Sequence, residues 1–251
     1  MEQPPELITI EELGDLIEGQ VHPVILSYGD DYISHHGVGT AFVLEHAGEL
    51  FVVTAQHVLE SQRAKAEDLR IRLRNTPLSI VFDRHTVFNA EPDPDSDLLI
   101  FRIAEFQHEA LLAAGLGWVR ATDSIQTEQQ DVEIFRIFGY PDAGREYDYD
   151  EQSLSAALCS VNGLLIESTV PGLTTLRIVG ERPTKFRGMS GSMVIAETDG
   201  EWKFAGMVTL ASDSNGLLNF IPAEKIVYYL DKMLLLEMTG QLITEDAKIA
   251  P

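Results

Sequence analysis

From residue 22 onward the apolar positions fall in short runs of Val, Ile, Leu and Phe, separated by Gly, Pro, Asp and Asn. VILSY, GTAFVLE, LFVVTAQ, IRLR, LSIVF, DLLIFRI, VEIFRIFG, LTTLRIV, SMVIAE, KFAGMVTLAS and LLNFIP each have strand length and strand residue types. The body of the chain therefore reads as all-β. HAGEL at 46–50 joins two runs as a hairpin loop, and ETDGE at 197–201 joins another pair through Asp199-Gly200. Helical spacing appears chiefly at the ends. Thr9 followed by Glu12 is a capping-box pattern ahead of a short acidic helix at 10–18, and Pro222 opens a longer one with apolar residues at 226, 230, 233 and 234. Residues 107–130 break the strand rhythm and read as a linker. The expected organisation is an N-terminal helical extension at 1–20, a first β unit at 21–115, a second at 116–222, and a C-terminal helix and tail at 223–251.

Composition narrows the possible functions. A chain of 251 residues, 45% hydrophobic and with a mean hydropathy of −0.01, can bury a substantial core but has no apolar run long enough to span a bilayer. The first twenty residues carry five glutamates and an aspartate, with neither a basic nor an apolar signal region, so a cytoplasmic location is expected. Cys159 is the single cysteine, which rules out an intrachain disulfide and suits a space-filling role in the second β unit. The 40 acidic against 18 basic residues give a net charge of −22, a surface that repels nucleic acid and anionic lipid. Asp93, Asp95 and Asp97 satisfy the start of a calcium-loop pattern, but Leu98 replaces its glycine and Ala104 its terminal glutamate, so no metal is expected.

Three local patterns lie at the ends of predicted strands. His57 follows an apolar strand in FVVTAQHVL; taken alone it is either a packed strand-end residue or a base. Asp97 precedes the buried run of DPDSDLLIFRI, where a lone aspartate is ordinarily a turn residue. Ser190 lies between glycines in KFRGMSGSMVI, and by itself that is a tight turn. A nucleophile elbow, G-x-S-x-G, is excluded because Ser192 stands two positions after Ser190. Together the three make a chemistry. A hydroxyl is a poor nucleophile unless a base takes its proton, and an imidazole doing so needs an acid partner to fix its tautomer. Gly188 permits a backbone turn in which the N–H groups of Gly188 and Ser190 converge on a developing oxyanion.

In order and spacing, GVGTAFVL with VVTAQHVL, SDLLIFRI, FGYPDAG, RGMSGSMVI, and AGMVTLAS with NFIPAEKI resemble the chymotrypsin-like (trypsin-like) serine peptidases, above all the compact bacterial members without disulfides. The resemblance implies two six-stranded antiparallel β-barrels with the site between them, a short N-terminal helix and a longer C-terminal helix. It implies that His57 is the general base, Asp97 orients it, Ser190 attacks, and Gly188 with Ser190 forms the oxyanion hole. Thr184 would sit at the base of the primary specificity pocket, with Thr209, Leu210 and Ala211 forming its wall and the strand that pairs with substrate. Lys185 beside Thr184 would select an acidic side chain if it points inward. Met189 departs from the secreted digestive members, which carry there an aspartate that pairs with a freshly cut N-terminal amine. The expected function is an intracellular serine endopeptidase needing no cofactor. The alternatives are a catalytically silent module that grips a peptide, and an enzyme gated by an activating or inhibiting protein partner.

Overall fold

The computed structural model describes residues 17, 19–27, 35–73, 76, 78–87, 94–125, 132, 134–148, 153–168, 170–198 and 200–239. Its first half contains β1 (Val21–Ser27), β2 (His35–His46), β3 (Glu49–Thr54), β4 (Leu69–Arg70), β5 (Phe82–Val87), β6 (Leu99–Ile103) and β7 (Val119–Arg120). These pair in the order β4-β1-β2-β3-β6-β5, all antiparallel, while β7 lies parallel to β2. This sheet is a half-barrel, and beyond its ladders the chain adds only an isolated bridge between Arg72 and Ser79, with Ile80 donating to the Ile71 carbonyl at 2.9 Å.

The second half contains β8 (Ile134–Gly139), a hairpin of β9 (Arg145–Asp148) and β10 (Ser153–Ala156), then β11 (Cys159–Ile166), β12 (Thr174–Val179), β13 (Met193–Thr198), β14 (Glu201–Ser212) and β15 (Leu217–Pro222). Six of them close a barrel in the order β11-β12-β15-β14-β13-β8. Helices are few among the described residues: α1 (His57–Glu60), α2 (His108–Ala113) and α3 (Ala223–Met238).

The uninterrupted apolar runs reflect strands buried on both faces. Along β13, Met193 and Ile195 face the core shared with the first half, while Val194 and Ala196 face the interior of the second barrel. Phe204 on β14 continues that shared layer and meets Phe42 of β2 with ring centroids 5.4 Å apart. The two halves therefore share an apolar core.

Helix α3 packs on β14 and β15 of the second barrel and also reaches across to the first half. Ala223, Ile226, Tyr229, Leu230 and Met233 are buried in the shared core, each large one worth about 1.5–3 kcal/mol. Its polar residues reach Asp95, His46, Arg84 and Arg102 of the first half through Lys225, Asp231 and Glu237. Ala223 and Tyr229 are the core positions of α3 that the sequence pattern did not single out; Leu234, which it did, is half-buried.

The expected HAGEL and ETDGE hairpins form, pairing His46 with Glu49 and Thr198 with Glu201. The Ala/Leu-rich part of the 107–130 linker is α2. Of the expected helix at 10–18, only Ile17 lies within the described residues. Strand β11 escaped the sequence pattern because Asn162-Gly163 interrupts it. A Cβ at Gly163 would lie 3.0 Å from Leu176 Cβ, so the glycine marks a close approach inside the barrel and not a break. LSIVF at 78–82 enters a ladder only at Phe82, and the strand runs on through the more polar DRHTV.

Candidate active site

His57 opens α1 directly after β3, where buried Val58 and Leu59 hold the short helix down. Asp97 is at the centre of a tight turn in which Leu98 N–H donates to the Ser96 carbonyl at 2.7 Å, just before β6. Ser190 lies in the turn leading into β13. Three separate loops thus present three side chains to one point.

The Asp97 carboxylate is only 5% exposed and both its oxygens are committed to His57. Oδ1 accepts the His57 backbone N–H at 2.9 Å, and Oδ2 lies 2.5 Å from Nδ1. An ionised carboxylate only accepts, so Nδ1 carries the proton and Nε2 is left as an acceptor. Nε2 lies 2.8 Å from Ser190 Oγ. The imidazole is about one-third exposed, at 36%, open to an incoming substrate on one side.

The turn that carries Ser190 is held from both sides. Gly191 N–H donates to the Val208 carbonyl at 2.8 Å, Val208 N–H to Ser192 at 2.9 Å, and Thr40 N–H to the Ser190 carbonyl at 2.9 Å. Gly188 has φ +92 and Gly191 φ +85, values that suit glycine, and neither has room for a side chain. A Cβ at Gly188 would lie 2.7 Å from Asp142 N, and one at Gly191 would lie 1.9 Å from the Thr40 carbonyl oxygen. Among the described residues, the N–H groups of Gly188 and Ser190 donate to no acceptor. Two free donors beside a hydroxyl paired to an imidazole form an acyl-transfer arrangement.

Residues 39–207 match the trypsin-like peptidase domain. The chain belongs to that family. No curated protein matches it. Among solved structures, the human heparin binding protein is similar with a TM-score of 0.60 and 13% identity, covering 86% of this chain and 92% of its own, a likeness of fold alone. As a trypsin-like peptidase domain the chain is disulfide-free, since Cys159 is its single cysteine.

The residues expected to contact substrate lie on two neighbouring segments. Thr184 and Lys185 are exposed and lead into Phe186, whose N–H donates to Asp213 Oδ1 at 2.7 Å. That bond ties the segment to the turn following Thr209, Leu210 and Ala211. Leu210 and Ala211 are exposed, whereas Thr209 is buried at a bulge in β14, with no hydrogen-bond partner for its hydroxyl among the described residues. Burial pushes the Cys159 thiol up, the opposite of what a thiolate nucleophile needs. Among the described residues no group of three or more His, Cys, Asp or Glu could hold a metal.

Sequence reasoning missed Thr40, Thr54, Asp142 and Arg145. Thr40 and Thr54 are fully buried, and Thr54 Oγ1 donates to the Thr40 carbonyl at 2.7 Å. Threonine in an apolar strand reads simply as a strand former. Only the fold brings these two beside the nucleophile turn.

Proposed function

We propose that this trypsin-like domain is a cytoplasmic serine endopeptidase whose catalytic residues are His57, Asp97 and Ser190. The observation that carries the reading is the unbroken relay from Asp97 Oδ2 to His57 Nδ1, at 2.5 Å, and from His57 Nε2 to Ser190 Oγ, at 2.8 Å. In the forward step Ser190 Oγ attacks the substrate carbonyl carbon while Nε2 takes the hydroxyl proton. Asp97 balances the imidazolium, and the Gly188 and Ser190 N–H groups receive the oxyanion. Collapse breaks the C–N bond as Nε2 returns the proton to the leaving amine, and water attacks the acyl-enzyme by the same route. Protein or peptide is the substrate, recognised along Thr209, Leu210 and Ala211 beside Thr184 and Lys185.

One observation favours a cytoplasmic setting: the single cysteine suits a reducing compartment. The name of the human structural neighbour carries heparin. A net charge of −22 opposes any polyanion, so that ligand is not carried over. The test is the intact mass of the protein after exposure to a fluorophosphonate, beside Ser190→Ala and with no partner added. One adduct that the variant lacks is expected; a folded wild type with no adduct would overturn an active enzyme in favour of a silent or partner-gated module.

A further inference from the structure

A planar trans peptide points its N–H opposite to its carbonyl, so the orientation of the Arg187–Gly188 peptide decides whether the Gly188 N–H can serve an oxyanion. Turned one way it offers a donor to the cleft; flipped, it offers an acceptor that would repel the developing charge. What holds this peptide lies outside the nucleophile turn. The Arg187 carbonyl accepts the Asp142 backbone N–H at 2.8 Å. The next carbonyl, of Gly188, accepts from Thr40 Oγ1 at 2.9 Å, and that hydroxyl in turn accepts the Tyr140 N–H at 2.8 Å. The Met189 carbonyl is taken by Ser192 N–H at 3.0 Å.

Asp142 is itself fixed by charge. Arg187 Nε lies 2.8 Å from its Oδ2, and Arg145 Nη1 lies 3.0 Å from its Oδ1, off the hydrogen-bonding direction. The Arg145 side chain is 2% exposed, and its Nη2 donates to the carbonyls of Gly39 at 2.9 Å and Tyr140 at 2.7 Å. One buried guanidinium therefore ties together the start of the nucleophile's support in β2, the end of β8 and the Asp142 turn. A buried cation with this many carbonyl and carboxylate partners is costly to displace, which makes it a rigid anchor. Met189, beside the nucleophile, is fully buried in the apolar core of the second barrel and takes part in no ion pair.

We propose that Asp142 and Arg145 are positioning residues that lock the Arg187–Gly188 peptide with its N–H turned into the cleft, so that the oxyanion hole is held ready by contacts within the chain without a new N-terminus or a partner. The proposal rests on the reading of Ser190 as the nucleophile. It predicts a site that is ready as folded, with the lock on the turn between β8 and β9.

Asp142→Pro tests the lock directly. It replaces the N–H that holds the Arg187 carbonyl, 2.8 Å away, with a ring carbon that pushes that carbonyl off, while the preceding backbone suits proline: Asp142 opens a 3-10 turn and Pro141 is extended, with ψ 148. Arg145→Met removes the anchor while keeping most of its volume. The rate of fluorophosphonate labelling at Ser190 is measured for both variants and wild type. The low-field NMR resonance of the His57 Nδ1 proton reports whether the His57–Asp97 bond persists. The expected result is labelling slowed on the order of 100-fold in Asp142→Pro and about 10-fold in Arg145→Met, with the resonance and the circular dichroism unchanged. Labelling within about threefold of wild type in either folded variant overturns that residue's positioning role; should one variant fail to fold, the other carries the test. A wild type that is not labelled, with the resonance in place, overturns the nucleophile reading instead and the ready-made hole with it.

Discussion

The backbone N–H of Thr40, on β2 of the first half, donates to the carbonyl of Ser190 in the second at 2.9 Å, and the Thr40 hydroxyl holds the carbonyl of Gly188 at 2.9 Å. The half that supplies the proposed base thus also positions the proposed nucleophile. The reverse also holds: Asp95, two residues before Asp97, pairs with Lys225 of α3 at 2.5 Å and lies against Gly172 of the second half.

Thr40→Val keeps the side chain's shape and the backbone bond to Ser190 but strands the buried Gly188 carbonyl and Tyr140 N–H. Leaving such groups unpaired costs about 1–3 kcal/mol each, so a loss of about 2–6 kcal/mol is expected in urea unfolding at pH 7. Labelling at Ser190 should slow as well. An unchanged unfolding midpoint would mean that water replaces both bonds.

Gly191→Ala should be among the most damaging small substitutions in the chain. The new Cβ would meet the Thr40 carbonyl oxygen at 1.9 Å and Thr54 Oγ1 at 2.6 Å, in a backbone with φ +85. A cost above about 3 kcal/mol is expected, seen as a lowered Tm by calorimetry. Gly48→Ala, at a turn with nothing within 4 Å of the new methyl, is the comparison for left-handed strain alone.

Asp97→Asn preserves the shape of the site but replaces an acceptor-only group with an amide that favours the wrong imidazole tautomer. Turnover on a peptide substrate should fall on the order of 10⁴-fold, against about 10⁶-fold for Ser190→Ala or His57→Ala, and the double variants should be no worse than the worst single one. Additive losses would argue against the three acting as a unit.

His22 is buried on β1, and burial pushes its imidazole down to about 4, against a weaker upward pull from a hydrogen bond with the Gly19 backbone. Between pH 6.5 and 4 the unfolded chain binds a proton at this residue that the folded chain refuses. The stability of the fold is therefore unaffected by His22 above pH 6.5 and falls as pH drops toward 4, by about 3 kcal/mol in all. Urea midpoints at pH 7 and pH 4.5 should show that loss in wild type and a smaller one in His22→Leu. Parallel losses in both proteins would remove His22 as the cause.

Glu237, near the end of α3, pairs with Arg84 at 2.7 Å and with Arg102 at 3.1 Å while itself only 12% exposed. Glu237→Leu takes the shared carboxylate away from both guanidinium groups, of which Arg102 keeps Asp83 and Arg84 loses its pair with Glu237. A loss of about 1–3 kcal/mol in thermal or urea unfolding is expected, and adding Arg84→Met should recover part of it. Independent effects of the two changes would show that the helix is held by its apolar face alone.

The two-barrel architecture came from the resemblance in motif order, whereas the period of the apolar runs was enough to predict a mostly β body and the C-terminal helix, and the residue types at the run ends singled out His57, Asp97 and Ser190. These are local properties: a strand buried on both faces must be continuously apolar, as SMVIAE is, and a serine turn with no room for side chains must be flanked by glycine, as Ser190 is. Tertiary structure alone decided which groups face one another. Nothing local distinguishes Thr40 from a strand-forming threonine, or Arg145 from a surface arginine, because their roles come from carbonyls contributed by distant loops. The direction of the Arg187–Gly188 peptide is likewise set by Asp142, on a separate turn, so no reading of GMSG by itself could tell a donor in the cleft from an acceptor. Glycine permits both orientations, and only the packed neighbours choose between them.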